Sequence, residues 1–355
     1  MERPVVSVVM VVCNADRFLA ESIESILSQS FRDFEFIIVD FGSTDRSKSI
    51  AARYAAQDSR VKLHEIPHCG LVAARNAGSS FAQGQYIAVM DADDVAEPER
   101  LMQQVAFLDA SPKVALLGGA SEWINASGQQ LRIDTPPTED SEIRAALLVR
   151  CPFCQPTVLI RREAFLLLGG YREIFAQAED YDLWLRLSEH FDVANLRQVV
   201  LKYRIHPFQL TLRMRMQQTL CVLAAQYSAT ARRNRDPDPL DAAEQITPEL
   251  LAAGGISEAT QQVTAASDYL VWLRSLRQAG EFSSAREAAS RLLGSPDRKY
   301  LERWQIADVY LAIAGSYWKE RKRLRSILAA GRAVATRPLL IGRPLKPVLQ
   351  LLGLT

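Results

Sequence analysis

Tyr86-Ile87-Ala88-Val89-Met90-Asp91-Ala92-Asp93-Asp94 sets five apolar residues directly against three carboxylates. A short apolar run of this kind, bounded by polar residues, reads as a strand buried on both faces, as in a parallel α/β sheet. The pattern repeats on either side of it. Strands are expected at 5–12, 34–40, 61–66, 86–90 and 114–117, with segments of helical period between them. Leu19, Ile23, Ile26 and Leu27 fall at i, i+4, i+7 and i+8, one face of a helix that can cover the sheet. Glu97-Pro98-Glu99 reads as the first turn of the helix after the fourth strand, where proline and acids are favoured.

Farther along, residues 125–210 are less regular. The reading is a turn at Asn125-Ala126-Ser127-Gly128, a short helix near 139–150, a strand at 157–162, a helix ending at Gly169-Gly170, a helix over 180–190 and a last strand region at 199–205. These read as a mixed extension that finishes the same sheet. A helix over 211–233 precedes Asn234-Arg235-Asp236-Pro237-Asp238-Pro239, which reads as a linker because its prolines cannot continue a helix. Residues 242–336 are alanine- and leucine-rich with helical spacing. Leu270, Leu273 and Leu276, then Phe282, Ala285, Ala289 and Leu292, suggest a helical hairpin turning at Gly280. The expected division is an α/β domain over 1–212, a helix and linker over 213–241, and a helical domain with a basic tail over 242–355.

The 355 residues suffice for a substantial core and a second, smaller domain. With 42 basic against 41 acidic residues there is no whole-chain field for gripping nucleic acid, which is not expected as a partner. Five scattered cysteines and no apolar leader after Met1 favour a reducing cytoplasm, and no run approaches the roughly 18 apolar residues of a membrane-spanning helix.

Ligands of an open parallel sheet gather outside the carboxyl ends of its strands, so those ends carry the candidate chemistry. Asp91 and Asp93 point the same way and repel unless a cation such as Mg²⁺ or Mn²⁺ joins them; an acidic turn capping the next helix is the alternative. Asp40, before Gly42-Ser43-Thr44-Asp45, closes an apolar strand where an acceptor for the N–H groups of a base would sit, although Ser43 to Asp45 are explained by helix capping alone. Arg75, in a helix opening after the third strand, is placed to clamp a diphosphate or a carboxylate, or else is a solvated surface residue. Glu179-Asp180 opens a helix, where acids suit the dipole and where a carboxylate could take a proton from an attacking hydroxyl. His206 stands alone among four histidines, and Cys151-Pro152-Phe153-Cys154 has metal spacing with no second pair.

Taken in order, Val6-Ser7-Val8-Val9-Met10 to Asn14, Phe34 to Asp40 with Gly42-Ser43-Thr44-Asp45, Ala74-Arg75-Asn76, Asp91-Ala92-Asp93-Asp94, and Ala178-Glu179-Asp180-Tyr181-Asp182-Leu183-Trp184 resemble glycosyltransferase family 2 with its GT-A fold, over about residues 4–212. The resemblance implies a Rossmann-like, mostly parallel sheet flanked by helices, followed here by an all-helical C-terminal domain. It implies that Asn14 and Asp40 border the nucleotide, that Asp91 contacts the nucleoside and Arg204 lies near the diphosphate, and that Asp93 and His206 hold Mg²⁺ or Mn²⁺; Arg75 is counted with the nucleotide-sugar-binding residues from its position. Asp180 would be the base for an inverting displacement from a nucleotide-diphosphate sugar onto a saccharide or lipid-linked acceptor. Two departures stand out: Phe41 occupies the place of the family's second acid after Asp40, and the Gln-x-x-Arg-Trp motif of processive synthases is absent, which favours single addition. The rival readings are a non-catalytic sugar-nucleotide-binding or scaffold protein on the same fold, and an aspartate-nucleophile phosphatase, which would place Asp-x-Asp on the leading strand.

Residues 319–355 carry nine basic residues, Lys319, Arg321, Lys322, Arg323, Arg325, Arg332, Arg337, Arg343 and Lys346, against Glu320 alone, and end in a leucine-rich stretch at 348–354. Such a tail is expected either to rest on anionic lipid at the inner face of the plasma membrane or to be solvated.

Overall fold

A computed structural model of the chain describes residues 3–206, 215–294, 298–299 and 301–338. Arg343, Lys346 and the stretch 348–354 lie outside the described residues, as do the first residues of the helix expected over 211–233. Contacts between residues divide the chain into two units, the first containing 1–124, 128–204 and 221–246, the second 125–127, 205–220 and 247–355.

The first unit opens with β1 (Val6–Val12), α1 (Leu19–Leu27), β2 (Phe34–Asp40), α2 (Ser47–Gln57), β3 (Val61–Glu65), α3 (Leu71–Phe81) and β4 (Tyr86–Met90). It continues through β5 (Val95–Ala96), α4 (Arg100–Ala110), β6 (Val114–Asn125), β7 (Gln130–Asp134), α5 (Asp140–Leu147), β8 (Leu159–Arg161), α6 (Arg162–Leu167), α7 (Glu179–His190), β9 (Asp192–Ile205) and, from residue 221 on, α8 (Arg215–Arg233). The sheet runs β3-β2-β1-β4-β8-β6-β9-β5, with β7 paired to β6. β3, β2, β1 and β4 are parallel neighbours; the inner strands β2, β1 and β4 are buried on both faces, whereas β3, at the edge, buries only Val61. The order reverses between β1 and β4, the topological switch point at which such sheets form a crevice.

The pairing changes beyond β4. β4–β8, β6–β8, β6–β7 and β5–β9 are antiparallel, so the mostly parallel expectation describes one half of a mixed sheet. The strand expected at 114–117 runs on to Asn125, through Gly118 and Gly119. Glycine is required there rather than breaking the strand: a Cβ on Gly119 would lie 2.8 Å from Val200 Cγ2 of β9. The last strand likewise begins at Asp192, not 199. The helix expected to open at Glu97 begins only at Arg100, because Val95–Ala96 pairs with β9 and the Glu97 N–H bonds the Val200 carbonyl at 3.0 Å. Its first turn is instead capped from the loop after α1, where Gln29 Oε1 accepts the Leu101 N–H at 3.0 Å.

The core lies between the sheet and its helices. Leu19, Ile23 and Ile26 of α1 pack against Val6, Val8, Met10, Phe36 and Ile38, all buried. The proline-containing stretch after α8 is tied down. Asp238 accepts from Ser228, Arg232 and Arg172, and Arg172 also binds Asp182 of α7, while Arg232 binds Glu189 at the other end of that helix. Burial opposes ionisation of Asp238, yet these donors and the Leu240 N–H hold its carboxyl down at about 2.

The second unit contains α9 (Pro248–Ala253), α10 (Glu258–Gln278), α11 (Phe282–Gly294), α12 (Arg303–Lys319) and α13 (Arg323–Thr336). Thr247 and Ser257 cap α9 and α10 by accepting the Leu250 and Thr260 N–H groups, each at 3.2 Å. α10 and α11 form the expected hairpin across Gly280, burying Leu270, Leu273, Leu276, Ala285, Ala289 and Leu292. Among the described residues no helix is long and apolar enough to cross a membrane.

Candidate active site

The end of β2 is built by its own turn. Asp40 is 4% exposed, and its Oδ1 accepts the N–H groups of Gly42 and Ser43 at 3.1 and 3.0 Å. Its Oδ2 is buried with no hydrogen-bond partner in the described structure. An acceptor in that state calls for a donor from elsewhere. Asn14, at the end of β1 with φ +54°, locks the neighbouring loop to this turn: its side-chain oxygen accepts the Thr44 N–H at 2.8 Å, and its own N–H bonds Ser43 Oγ at 3.1 Å.

Phe41 is turned inward and 6% exposed. Its ring is stacked on His68 at 5.7 Å between centroids, and His68 Nδ1 lies 3.1 Å from the Phe41 carbonyl. Gly42 then takes φ +97°, and a Cβ there would approach His68 Cβ to 3.1 Å. The departure from two acids is thus absorbed into packing.

The end of β4 is held from a distance. Arg75, in the second turn of α3, donates to Asp91 at 3.3 Å and forms a direct ion pair with Glu179 at the start of α7. The arginine is buried rather than solvated; burial alone would lower its pKa, but Glu179 and Asp91 hold it above the usual value. The next residue, Asn76, clamps the segment leading to α7, donating to the Tyr171 carbonyl at 2.8 Å and accepting the Tyr171 N–H at 3.0 Å. Two adjacent residues of α3 therefore bring the start of α7 to the end of β4.

Asp180 is half-buried beside Glu179, with Oδ1 accepting the Tyr181 N–H at 2.7 Å. Burial raises its carboxyl above the ordinary aspartate range, and Arg75 draws it back. Burial likewise pushes Glu179 up to about 7 against the pull of Arg75, with Asp180 adding repulsion. Asp91 is pushed up to about 6 by burial, opposed by Arg75 and reinforced by Asp93 and Asp180.

Asp94 is fully buried, its Oδ1 accepting the Arg204 N–H at 2.8 Å and its Oδ2 left without a hydrogen-bond partner. Burial and the neighbouring Asp93 and Asp91 raise its pKa well above the usual value. The Arg204 side chain is 2% exposed. It donates to the Asp93 carbonyl at 2.8 Å and to Glu21 at 2.7 Å, and lies 4.5 Å over the Phe18 ring, so it supports the Asp93 turn from within. His206 directly follows β9 and is 6% exposed. The cysteines of Cys151-Pro152-Phe153-Cys154 are both free.

These carboxylates suit a hard divalent cation. They are crowded oxygen donors whose ionisation is opposed by burial and by one another, and a cation would relieve both. Among the described residues no three His, Cys, Asp or Glu side chains close into a cage. A site of one or two protein carboxylates is the usual arrangement for Mg²⁺ completed by phosphate oxygens and water.

Of the residues singled out in the sequence, Arg75 and Asp91 are in direct contact, and Asp180 stands beside their partner Glu179. Asn14 and Asp40 share the turn after β2, whereas Arg204 lies under Asp93. Glu179 is the member that sequence reasoning left unassigned. Its only signal was the acidic doublet itself.

Known proteins resemble this chain over the same region. The Glycosyl transferase family 2 profile matches residues 7–167. EpsE of Bacillus subtilis (strain 168) is 40% identical over 206 residues, 57% of this chain and 73% of that protein. The O-antigen biosynthesis glycosyltransferase WbnJ of Escherichia coli is 33% identical over 206 residues, 57% of this chain and 80% of that protein. The mannosyltransferase PcManGT of Pyrobaculum calidifontis, solved with GDP-Man and Mn²⁺, matches in fold with a TM-score of 0.51 at 19% identity, covering 93% of this chain and 87% of the other.

Proposed function

This chain belongs to glycosyltransferase family 2 and has the GT-A fold, and from that premise we propose that it transfers a sugar from a nucleotide-diphosphate sugar to an acceptor hydroxyl with inversion. The observation that carries this reading is the Arg75 bridge, which joins Asp91 at the end of β4 to the segment that presents Asp180. Donor and acceptor chemistry then share one place, the β1/β4 switch point.

In this reading Asp40 and the Asn14 loop receive the nucleoside, Asp91 borders it, and Arg75 and Arg204 set the charge balance beside the diphosphate. Asp93, with His206 as a further ligand, would hold Mg²⁺ or Mn²⁺, an ion of the kind bound in PcManGT. The bound ion supplies neutralisation of the charge that grows on the departing diphosphate. Asp180 takes the proton from the attacking hydroxyl; a carboxyl raised by burial is a better base near neutral pH than an ordinary aspartate. The acceptor we infer is a saccharide or a lipid-linked acceptor reached from the cytoplasm, in surface-polysaccharide or glycoconjugate synthesis, in keeping with the O-antigen role that WbnJ's name gives.

The test is a screen of sugar nucleotides for nucleoside-diphosphate release with and without acceptor saccharides, in Mn²⁺ and then in chelator. Release that needs both metal and acceptor is expected. Tight nucleotide binding with no turnover on any donor and acceptor pair would leave a binding protein and remove the enzyme.

A further inference from the structure

Helix α13 carries an apolar stripe that the second unit does not cover. Leu324, Ile327 and Leu328 are 72%, 62% and 61% exposed, at i, i+3 and i+4, while the opposite face, Ser326, Ala329 and Ala333, is buried. At about 100° per residue the stripe continues through Gly331 and Ala335. Arg325 and Arg332 fall along one border of it, and Arg323 along the other.

The charges on this surface are nearly all of one sign. No acid occurs between Arg321 and Pro338, and the preceding Glu320 is already engaged by Arg286 and Lys322. Arg323 lies 3.4 Å over the Trp318 ring, and Arg325 5.9 Å from the Tyr317 ring centroid. No carboxylate partner of Arg321, Arg323, Arg325 or Arg332 occurs among the described residues. Exposed leucine and isoleucine flanked on both sides by arginines, whose aliphatic stems can lie along the stripe while their heads stay in water, is the pattern of a helix lying in a membrane interface.

We propose that α13 is a membrane-docking helix that inserts Leu324, Ile327 and Leu328 among the acyl chains of an anionic bilayer, with Arg323, Arg325 and Arg332 at the headgroups. The inference stands apart from sugar transfer, since it uses neither the donor site nor Asp180. Charge complementarity selects lipid as the occupant: a second copy of the stripe would set arginines against arginines, whereas anionic headgroups neutralise them. The helix lies on the bilayer rather than crossing it, in agreement with its length and charge.

The experiment is co-sedimentation of the full chain with vesicles of phosphatidylcholine alone and with added phosphatidylserine. Binding to the anionic vesicles is expected, with little to the neutral ones. Leu324→Ser/Ile327→Ser/Leu328→Ser should abolish it. Arg325→Gln/Arg332→Gln should weaken it by about 30-fold, each basic residue near an anionic surface contributing roughly a fivefold factor. All five residues are exposed, so both variants should keep the wild-type melting temperature. Unchanged binding by the serine variant, or its loss only on deleting residues 339–355, would move docking off α13. Failure of the wild type to sediment, or a concentration-dependent dimer that the serine variant abolishes, would replace the membrane by no partner or by a second copy.

Discussion

The acidic ends of β2 and β4 are held by different means. Asp40 is fixed by the N–H groups of the two residues that follow Phe41, so its geometry is written within four positions of the chain. Asp91 is fixed by Arg75, which is itself fixed by Glu179, 104 residues farther along. The first end is a local turn. The second exists only once α3 and α7 have packed, and it is the one that brings in Asp180.

The largest expected effect lies on the assembled side. Asp180→Asn should lower transfer by about 10²–10⁴-fold, the usual contribution of general-base help, while nucleotide affinity stays near wild type. Steady-state transfer assays together with nucleotide calorimetry would show it. Normal transfer would remove the proposed base.

Next, Arg75→Met should destabilise the fold in denaturant melts, by up to roughly 3–5 kcal/mol above pH 7, where Glu179 is ionised and loses its partner, and by less at lower pH, where it is protonated; Glu179→Gln in the same chain should recover part of the loss. A melt unchanged by Arg75→Met would make the second end as local as the first.

A smaller effect should appear in pH dependence. Glu179 titrates near 7 in the fold, above its ordinary value, so the native state holds an extra proton between. Its contribution to stability is complete below about pH 4.5 and is lost as pH rises through 7. Melting temperatures of the ligand-free protein in chelator should therefore fall across that window, and the Glu179→Gln protein should show a flatter profile.

The smallest change in stability belongs to the local end. Asp40→Asn keeps an oxygen for the Gly42 and Ser43 N–H groups and should cost no more than about 1 kcal/mol, with the larger consequence seen in nucleotide affinity. Calorimetry on both properties separates the two. A large loss of stability would show that Asp40 is a structural peg like Asp94.

The same contrast decides what was legible in the sequence. β2 and β4 were read to the residue, because an apolar run ended by a carboxylate marks a buried strand and its terminus together. β6 extends past its apolar run 114–117 through Gly118-Gly119, and the reason for those glycines is the approach of β9, which no local pattern announces. The start of β9, Asp192-Val193-Ala194-Asn195, offers little alternation to read. Asp180 was found by its place in a resembling motif, but Glu179 passed for a complement to the helix dipole. Its pairing with Arg75 belongs to tertiary packing, as does the inward turn of Phe41 onto His68.

Asp238 bears on how the chain can be cut. A fragment that stops at residue 212 would take Arg232 away from Glu189, and Asp238 away from Arg172, stripping braces from both ends of α7 while leaving every residue of the proposed site in place. The shortest piece worth expressing therefore runs to about residue 246, and a protease nick near Pro237 should be read out at Asp180 rather than at the cut.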